Sequence, residues 1–177
     1  MIVRVLWLAL LAANAFLVSA GPGMTQSYPN RPITMVVPFG PGGPTDFVAR
    51  HLSKSIENDV RQPVVVENAP GGGGAAAAGK FEHAAGDGYT LLLWVSSANA
   101  LRSMRATPVA TVAVQGNVVY GIVAPVGTPD SVVVRLNSAV NKALANSTDL
   151  KSALAKLGAE AKTSTPKESA VFIGTAK

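Results

Sequence analysis

The chain has 177 residues, 48% of them hydrophobic and 14% charged, with 15 Lys+Arg against 10 Asp+Glu. That length holds one ordinary domain, and so low a charged fraction excludes an intrinsically disordered chain. The lack of cysteine excludes thiol catalysis, thiolate metal sites and disulfides, while scattered basic residues with few aromatics exclude a nucleic-acid groove.

Arg4 opens the chain's first pattern: a run from Val5 to Val18, broken by Asn14, and then Ser19-Ala20. This is the layout of a secretory signal peptide, residues 1–20, cleaved before Gly21. The run is short of the ~20 apolar residues that a spanning helix needs. Residues 21–30 read as a polar, flexible leader. Ile33, Met35, Val36 and Val37 form a short apolar run, the pattern of a strand buried on both faces. Pro38 and Pro41 stop it, and Gly42 and Gly43 let the backbone turn. Thr45 is expected to cap a helix reaching about Asn58, with Val48, Leu52 and Ile56 on one face.

A second strand, Val64–Glu67, leads through Pro70-Gly-Gly-Gly-Gly74 into an alanine-rich helix from Ala75 to about Ala85, closed by Gly86. The third strand, Thr90–Val95, is apolar enough to be central. This β-α-β-α-β order predicts a parallel, doubly wound α/β sheet. Residues 101–117 are the least readable, although Val109 to Val114 suits a short strand. A strand at Val118–Ala124 follows. Thr128 is expected to cap a helix with Pro129 at its first position and Val132, Leu136, Val140 and Leu144 on its apolar face. Ser147 starts a helix bearing Leu150, Leu154 and Leu157, ended by Gly158. Thr165-Pro-Lys-Glu168 is a capping box for a last helix with Val171 and Phe172.

The turn at Gly42-Gly43, followed by a helix start, presents free N–H groups and the positive end of a dipole, a seat for a carboxylate or phosphate. The alternative is a tight strand-to-helix connection with no ligand. Asp46 suits support of the helix start better than contact with an anion, because like charges repel. Ser96, Ser97 and Asn99 follow the third strand. They fall at the carboxyl edge of a parallel sheet, where open α/β folds bind ligands; a plain polar loop is the alternative. Gly74-Ala-Ala-Ala-Ala-Gly-Lys80 mimics a phosphate-binding loop, but Phe81 stands where the magnesium-holding Ser or Thr belongs. His51 and His83 read as solvated surface residues. No nucleophile elbow, placed carboxylate pair or metal-ligand cluster is present, so neither an enzyme nor a cofactor or metal site is expected.

The series Ile33–Asp46, Gln62-Pro-Val-Val-Val-Glu-Asn68, Pro70–Gly74, Asp87-Gly-Tyr-Thr-Leu-Leu-Leu93, Ala124-Pro-Val-Gly-Thr-Pro129 and Arg135–Leu144 resembles the Bug-type periplasmic solute receptors of tripartite tricarboxylate transporters. The likeness covers about Tyr28 to Asn99 and Val118 to Ile173. It implies a type II, flytrap-like periplasmic binding protein that closes two lobes on a small carboxylate and feeds membrane transporter subunits. Family members are longer and carry a second lobe where this chain has only about twenty residues. The resemblance thus implies one α/β lobe from residues 31–99 and 118–177, with 100–117 as the remnant of a missing second lobe or hinge. It implies a binding wall of Phe39, Gly42, Gly43, Thr45, Asp46, Gly72, Gly73, Ser96, Ser97 and Asn99. The family's loop after the third strand continues into an Asn-Pro-x-x-Tyr-like stretch, whereas here it reads Ala100-Leu-Arg-Ser. The competing expectation is an exported single-lobe interaction module with no part in transport.

Overall fold

A computed structural model describes residues 28–175. The signal-peptide reading of residues 1–20 and the first part of the leader lie outside the described residues. The first three strands are β1 (Ile33–Val37), β2 (Val64–Asn68) and β3 (Thr90–Val95). Between them lie α1 (Pro44–Val60) and α2 (Ala75–Glu82). Then come β4 (Thr107–Gln115), β5 (Val118–Ala124), α3 (Asp130–Asn146), α4 (Thr148–Lys156), the two-residue β6 (Glu160–Ala161) and α5 (Pro166–Thr175). One sheet contains all six strands in the order β2-β1-β3-β5-β4-β6.

Strand alternation builds two cores. Ile33, Met35, Val37, Leu91, Leu93 and Val95 point to one face, which α1, α3 and α4 cover. Val36, Leu92 and Trp94 point to the other, against α2, α5 and the crossover segment. This two-sided burial is why the strands read as continuous apolar runs rather than alternating ones. On α1, Val48, Leu52 and Ile56 are fully buried, as the fourfold spacing requires. Gly121 on β5 leaves room for Ile173, whose Cδ1 would lie 3.2 Å from an added Cβ.

The expected all-parallel sheet is half correct. β1 pairs in parallel with β2 and β3, but β5 runs antiparallel to both β3 and β4. Buried parallel and antiparallel strands share the same apolar runs, so the runs could not separate the two. The connection can: Gln115 pairs with Val118 across Gly116-Asn117, and Gly116 has φ +57°. A two-residue link makes a hairpin and cannot make a parallel crossover.

Residues 100–117 contain β4, which pairs along its length with β5 inside the sheet. The chain reaches β4 by crossing the second face from the carboxyl edge of β3. On the way it makes a short 3-10 turn, Asn99–Arg102, and buries Leu101 and Met104. The Trp94 indole N–H fixes that crossing by donating to the Leu101 carbonyl at 3.1 Å.

Two expected caps move by a residue or more. Gly43, not Thr45, is the N-cap of α1; Thr45 and Asp46 are already inside the helix and buried. Pro129 is the N-cap of α3, and Thr128 spends its hydroxyl on the Pro125 carbonyl at 2.8 Å. The other two hold. Ser147 Oγ accepts the Leu150 N–H. Thr165 Oγ1 accepts from the Glu168 N–H while Glu168 Oε2 accepts from the Thr165 N–H. On α5, Ile173 is the buried apolar residue and Val171 is exposed. The alanine-rich helix ends at Glu82, earlier than expected.

Candidate functional site

β1, β2 and β3 run parallel, so the loops that follow them share one edge of the sheet. The first loop spans residues 38–43. Within it Gly42 takes φ +83° while Gly43 is extended, with φ −82° and ψ 172°. Only Gly42 therefore needs glycine for its backbone angle. The second loop holds Gly71 to Gly74, each with positive φ, and folds as a 3-10 turn at Gly72–Gly74 directly ahead of α2. The third, after β3, holds Ser96 to Asn99.

Contacts tie the three loops together. The Asn68 side chain donates to the Phe39 carbonyl at 3.0 Å, joining the second loop to the first. An added Cβ at Gly74 would sit 3.2 Å from Ala98 Cβ, so glycine there lets the second loop close on the third. Phe39 is half-buried and packs on both cores.

The ten expected wall residues divide by what they can offer. Gly42, Gly72, Gly73, Ser97 and Asn99 are exposed on the rim, and Gly43 is partly so. Their offer is mainly backbone N–H from the first turns of α1 and of the 3-10 turn, although the Gly42 N–H is already taken by Asp46. Ser96 is consumed by the sheet: its Oγ accepts the Val119 N–H at 3.0 Å and its N–H donates to the Val119 carbonyl at 3.0 Å. Thr45 is buried within α1.

Asp46 is buried and bonded inward. Its Oδ2 accepts from the Gly42 N–H and from Arg50 Nε, and its Oδ1 accepts from Asn68 Nδ2, all at 2.9 Å. The bond from Arg50 foremost, helped by Gly42 and Asn68 and opposed by burial, holds its carboxyl down at about 2. Arg50 and Asn68 escaped the sequence reading. The Asp46–Arg50 spacing of four on a helix was the available signal for one, and an amide closing β2 for the other.

Lys80, the phosphate-loop mimic, pairs instead with Glu67 across from it. His51 is half-buried rather than solvated. Its Nδ1–H donates to the Phe47 carbonyl at 2.8 Å and its ring lies 4.2 Å from the Phe47 ring. His83 is exposed and Nδ1 donates to the Gly79 carbonyl. Two open hollows of about 500 and 530 Å³ lie in grooves between α1 and the α3–α4 segment, the larger reaching up to Phe47 and Arg50 behind the rim.

Residues 48–107 match the tripartite tricarboxylate transporter family receptor, TctC. Among curated relatives, Protein BugT of Bordetella pertussis is 46% identical over 92 residues, which is 50% of this chain and 28% of BugT. A UPF0065 protein of the same organism is 41% identical over 83 residues, 47% of this chain and 26% of that protein. The chain thus spans little more than a quarter of the length of these relatives. The periplasmic binding protein BugD has the same fold, with TM-score 0.75 at 19% identity over 84% of this chain and 95% of BugD. MatC from Rhodopseudomonas palustris, solved with bound malate, gives 0.68 at 21% over 84% and 95%. Rpa4515 of R. palustris, solved with adipate, gives 0.71 at 15% over 84% and 94%. The architecture is therefore the mixed α/β fold of periplasmic binding proteins.

Proposed function

We propose that this chain is one lobe of a periplasmic solute receptor, and that its rim takes a small carboxylate for delivery to a tripartite tricarboxylate transporter. The supporting observation is the pairing of two anion-suited loops at one edge. The left-handed Gly42 turn at the start of α1 sits beside the Gly71–Gly74 loop at the start of α2, joined through Asn68. Both loops stand at helix starts, whose positive dipole ends suit the carboxylates at either end of a diacid. Relatives of the same fold carry malate and adipate. Export through residues 1–20 belongs to this reading. In it the chain binds and releases, with no bond made or broken.

The rim is one wall. A second lobe would form the other, joined in this reading within residues 100–117, whose Gly116-Asn117 turn lies at the rim's own edge of the sheet. Small-molecule sites bury ~70–90% of the ligand, and one wall leaves the far side in water. Each lost hydrogen bond to a charged group costs ~1.5–3 kcal/mol. Loss of two moves a micromolar receptor to roughly the millimolar range. Calorimetry with malate and adipate tests this: saturable millimolar heat is expected, and no heat for any carboxylate would sink it. Micromolar binding would mean that a dimer or the remaining lobe rebuilds a closed site.

A second reading, an exported single-lobe interaction module, is favoured by one observation: the roomy hollows run along α1 and α4, and the larger touches the rim only from behind, at Phe47 and Arg50. Carboxylate-independent association of the purified chain with a partner would support it.

A further inference from the structure

The rim loops have few bonds of their own, and two side chains behind them supply the rest. Asp46, 3% exposed, reaches forward to the Gly42 N–H and sideways to Asn68. Asn68, the last residue of β2, splits its amide between Asp46 Oδ1 at 2.9 Å and the Phe39 carbonyl at 3.0 Å. One residue further on, the Ala69 N–H donates to the Val37 carbonyl at 2.8 Å, so β1 and β2 stay in register up to the glycine loop. The glycine loop begins two residues later. Its position relative to the Gly42 turn therefore passes through Asn68.

The same geometry raises an electrostatic problem and solves it. A buried carboxylate directly behind an anion seat repels its ligand, and low local dielectric strengthens that repulsion. Arg50 lies one helical turn on, its Nε on Asp46 Oδ2 at 2.9 Å and its NH2 donating to Asn68 Oδ1 at 3.3 Å. It cancels the charge at its source while half its side chain stays in water. Glycine-rich loops give no rigidity and a helix end offsets only part of a full charge, so the cluster adds what the loops lack.

We propose that Asp46 and Asn68 are positioning residues that couple the β1–α1 turn and the glycine loop into one rim, and that Arg50 keeps this rim receptive to anions by neutralising Asp46. Only the Arg50 part rests on the carboxylate reading above.

Hydrogen exchange on the full chain without ligand tests the coupling. Asn68→Ala should speed exchange in residues 38–46 and in 69–75 together, by about tenfold or more, because both of its donated hydrogen bonds are lost. Asp46→Asn, which keeps the volume, should loosen the same two segments and serves if Asn68→Ala does not fold. Acceleration confined to one segment overturns the coupling. Malate and adipate titrations test the charge role. Arg50→Gln should weaken binding by about tenfold, as an uncompensated nearby charge requires, and Asp46→Asn with Arg50→Gln should recover most of the loss. A purely structural role for Arg50 would instead leave the double variant the weaker of the two. Unchanged affinity in Arg50→Gln overturns the charge role. Wild-type chain that binds neither acid removes the carboxylate reading and the charge role with it, while the exchange result still decides the coupling.

Discussion

The two halves of the sheet use polar side chains in opposite ways. Around β1 to β3, charged groups gather: Asp46, Arg50 and Asn68 hold two glycine loops at an open edge. Around β4 to β6, the buried polar network is neutral and turned inward. Asn137 donates to the Val109 and Ser164 carbonyls at 2.7 Å, Asn141 exchanges bonds with Ser164, and Ser164 Oγ accepts the Thr111 N–H at 2.8 Å. Ser169 completes the set at 2.7 Å from Ser164. Neutral networks fix a scaffold at little desolvation cost, whereas charge is retained where its field is of use. The first half keeps its charged cluster at an open edge, and the second keeps a neutral network inside.

If the halves are one cooperative unit, damage to the scaffold half must unfold both. Leu136 on α3 is fully buried in the core shared with β1 and β3. Leu136→Ala should cost ~2–5 kcal/mol through lost burial and a cavity. Far- and near-ultraviolet melts should fall together. Two separated transitions would show that the halves fold independently and break the comparison at its root.

Asn137→Ala comes next. It strips donors from two carbonyls, which costs ~1–3 kcal/mol when the groups stay buried. Because the scaffold network touches no rim loop, carboxylate affinity should stay at the wild-type value once the chain is folded. An affinity loss comparable to that of Arg50→Gln would mean that the scaffold also shapes the site.

The contrast also explains what could be read from residue order. In the first half, each strand is bounded by Pro or Gly and each helix has a fourfold apolar stripe, so β1 and β3 match their expected bounds and α1 extends only slightly further. The capping box at Thr165 and the cap at Ser147 were legible because their chemistry is local. Strand direction in the second half was not, since direction is set by partners distant in sequence. Yet Gly116-Asn117 between two apolar runs is a hairpin signal, and it was overlooked. At the rim, sequence placed the loops but not the bonds behind them. Asp46 was read both as support for the helix start and as part of the binding wall; its carboxylate bonds Gly42 and Arg50, while Asn68, 22 positions away, meets it only in three dimensions.

A smaller effect separates the two glycines of the turn. Gly42 has φ +83° with open space around its Cα, so Gly42→Ala pays for the backbone angle alone, ~1–2 kcal/mol. Gly43 has φ −82°, and an added Cβ would meet only the Gly40 carbonyl at 3.8 Å. Gly43→Ala should leave stability near wild type. The residue order treats the two glycines alike, and their backbone angles separate them. Paired urea melts decide it, and equal losses would mean that the turn has another conformation in solution.

The last expected effect is acid sensitivity, and it belongs to the rim half. Asp46 is held at about 2 against an ordinary value of 3.8. A depressed carboxyl in the folded chain means that the unfolded chain binds a proton first as pH falls. The stabilisation is therefore complete above pH 3.8 and is lost progressively as pH falls through about 2. Asp46→Asn removes that titration, so its stability should be lower at neutral pH and flatter than wild type between roughly pH 4 and 2. Glu168 in the scaffold half is also lowered, by the Thr165 N–H and hydroxyl, but it is exposed to solvent, and solvent screens such bonds. Glu168→Gln should hence leave the acid limb nearly unchanged. Urea melts of wild type and both variants from pH 5 to 2 make the comparison directly. A limb that survives Asp46→Asn and disappears in Glu168→Gln would place the chain's acid-labile charge in the scaffold and remove the division between the halves.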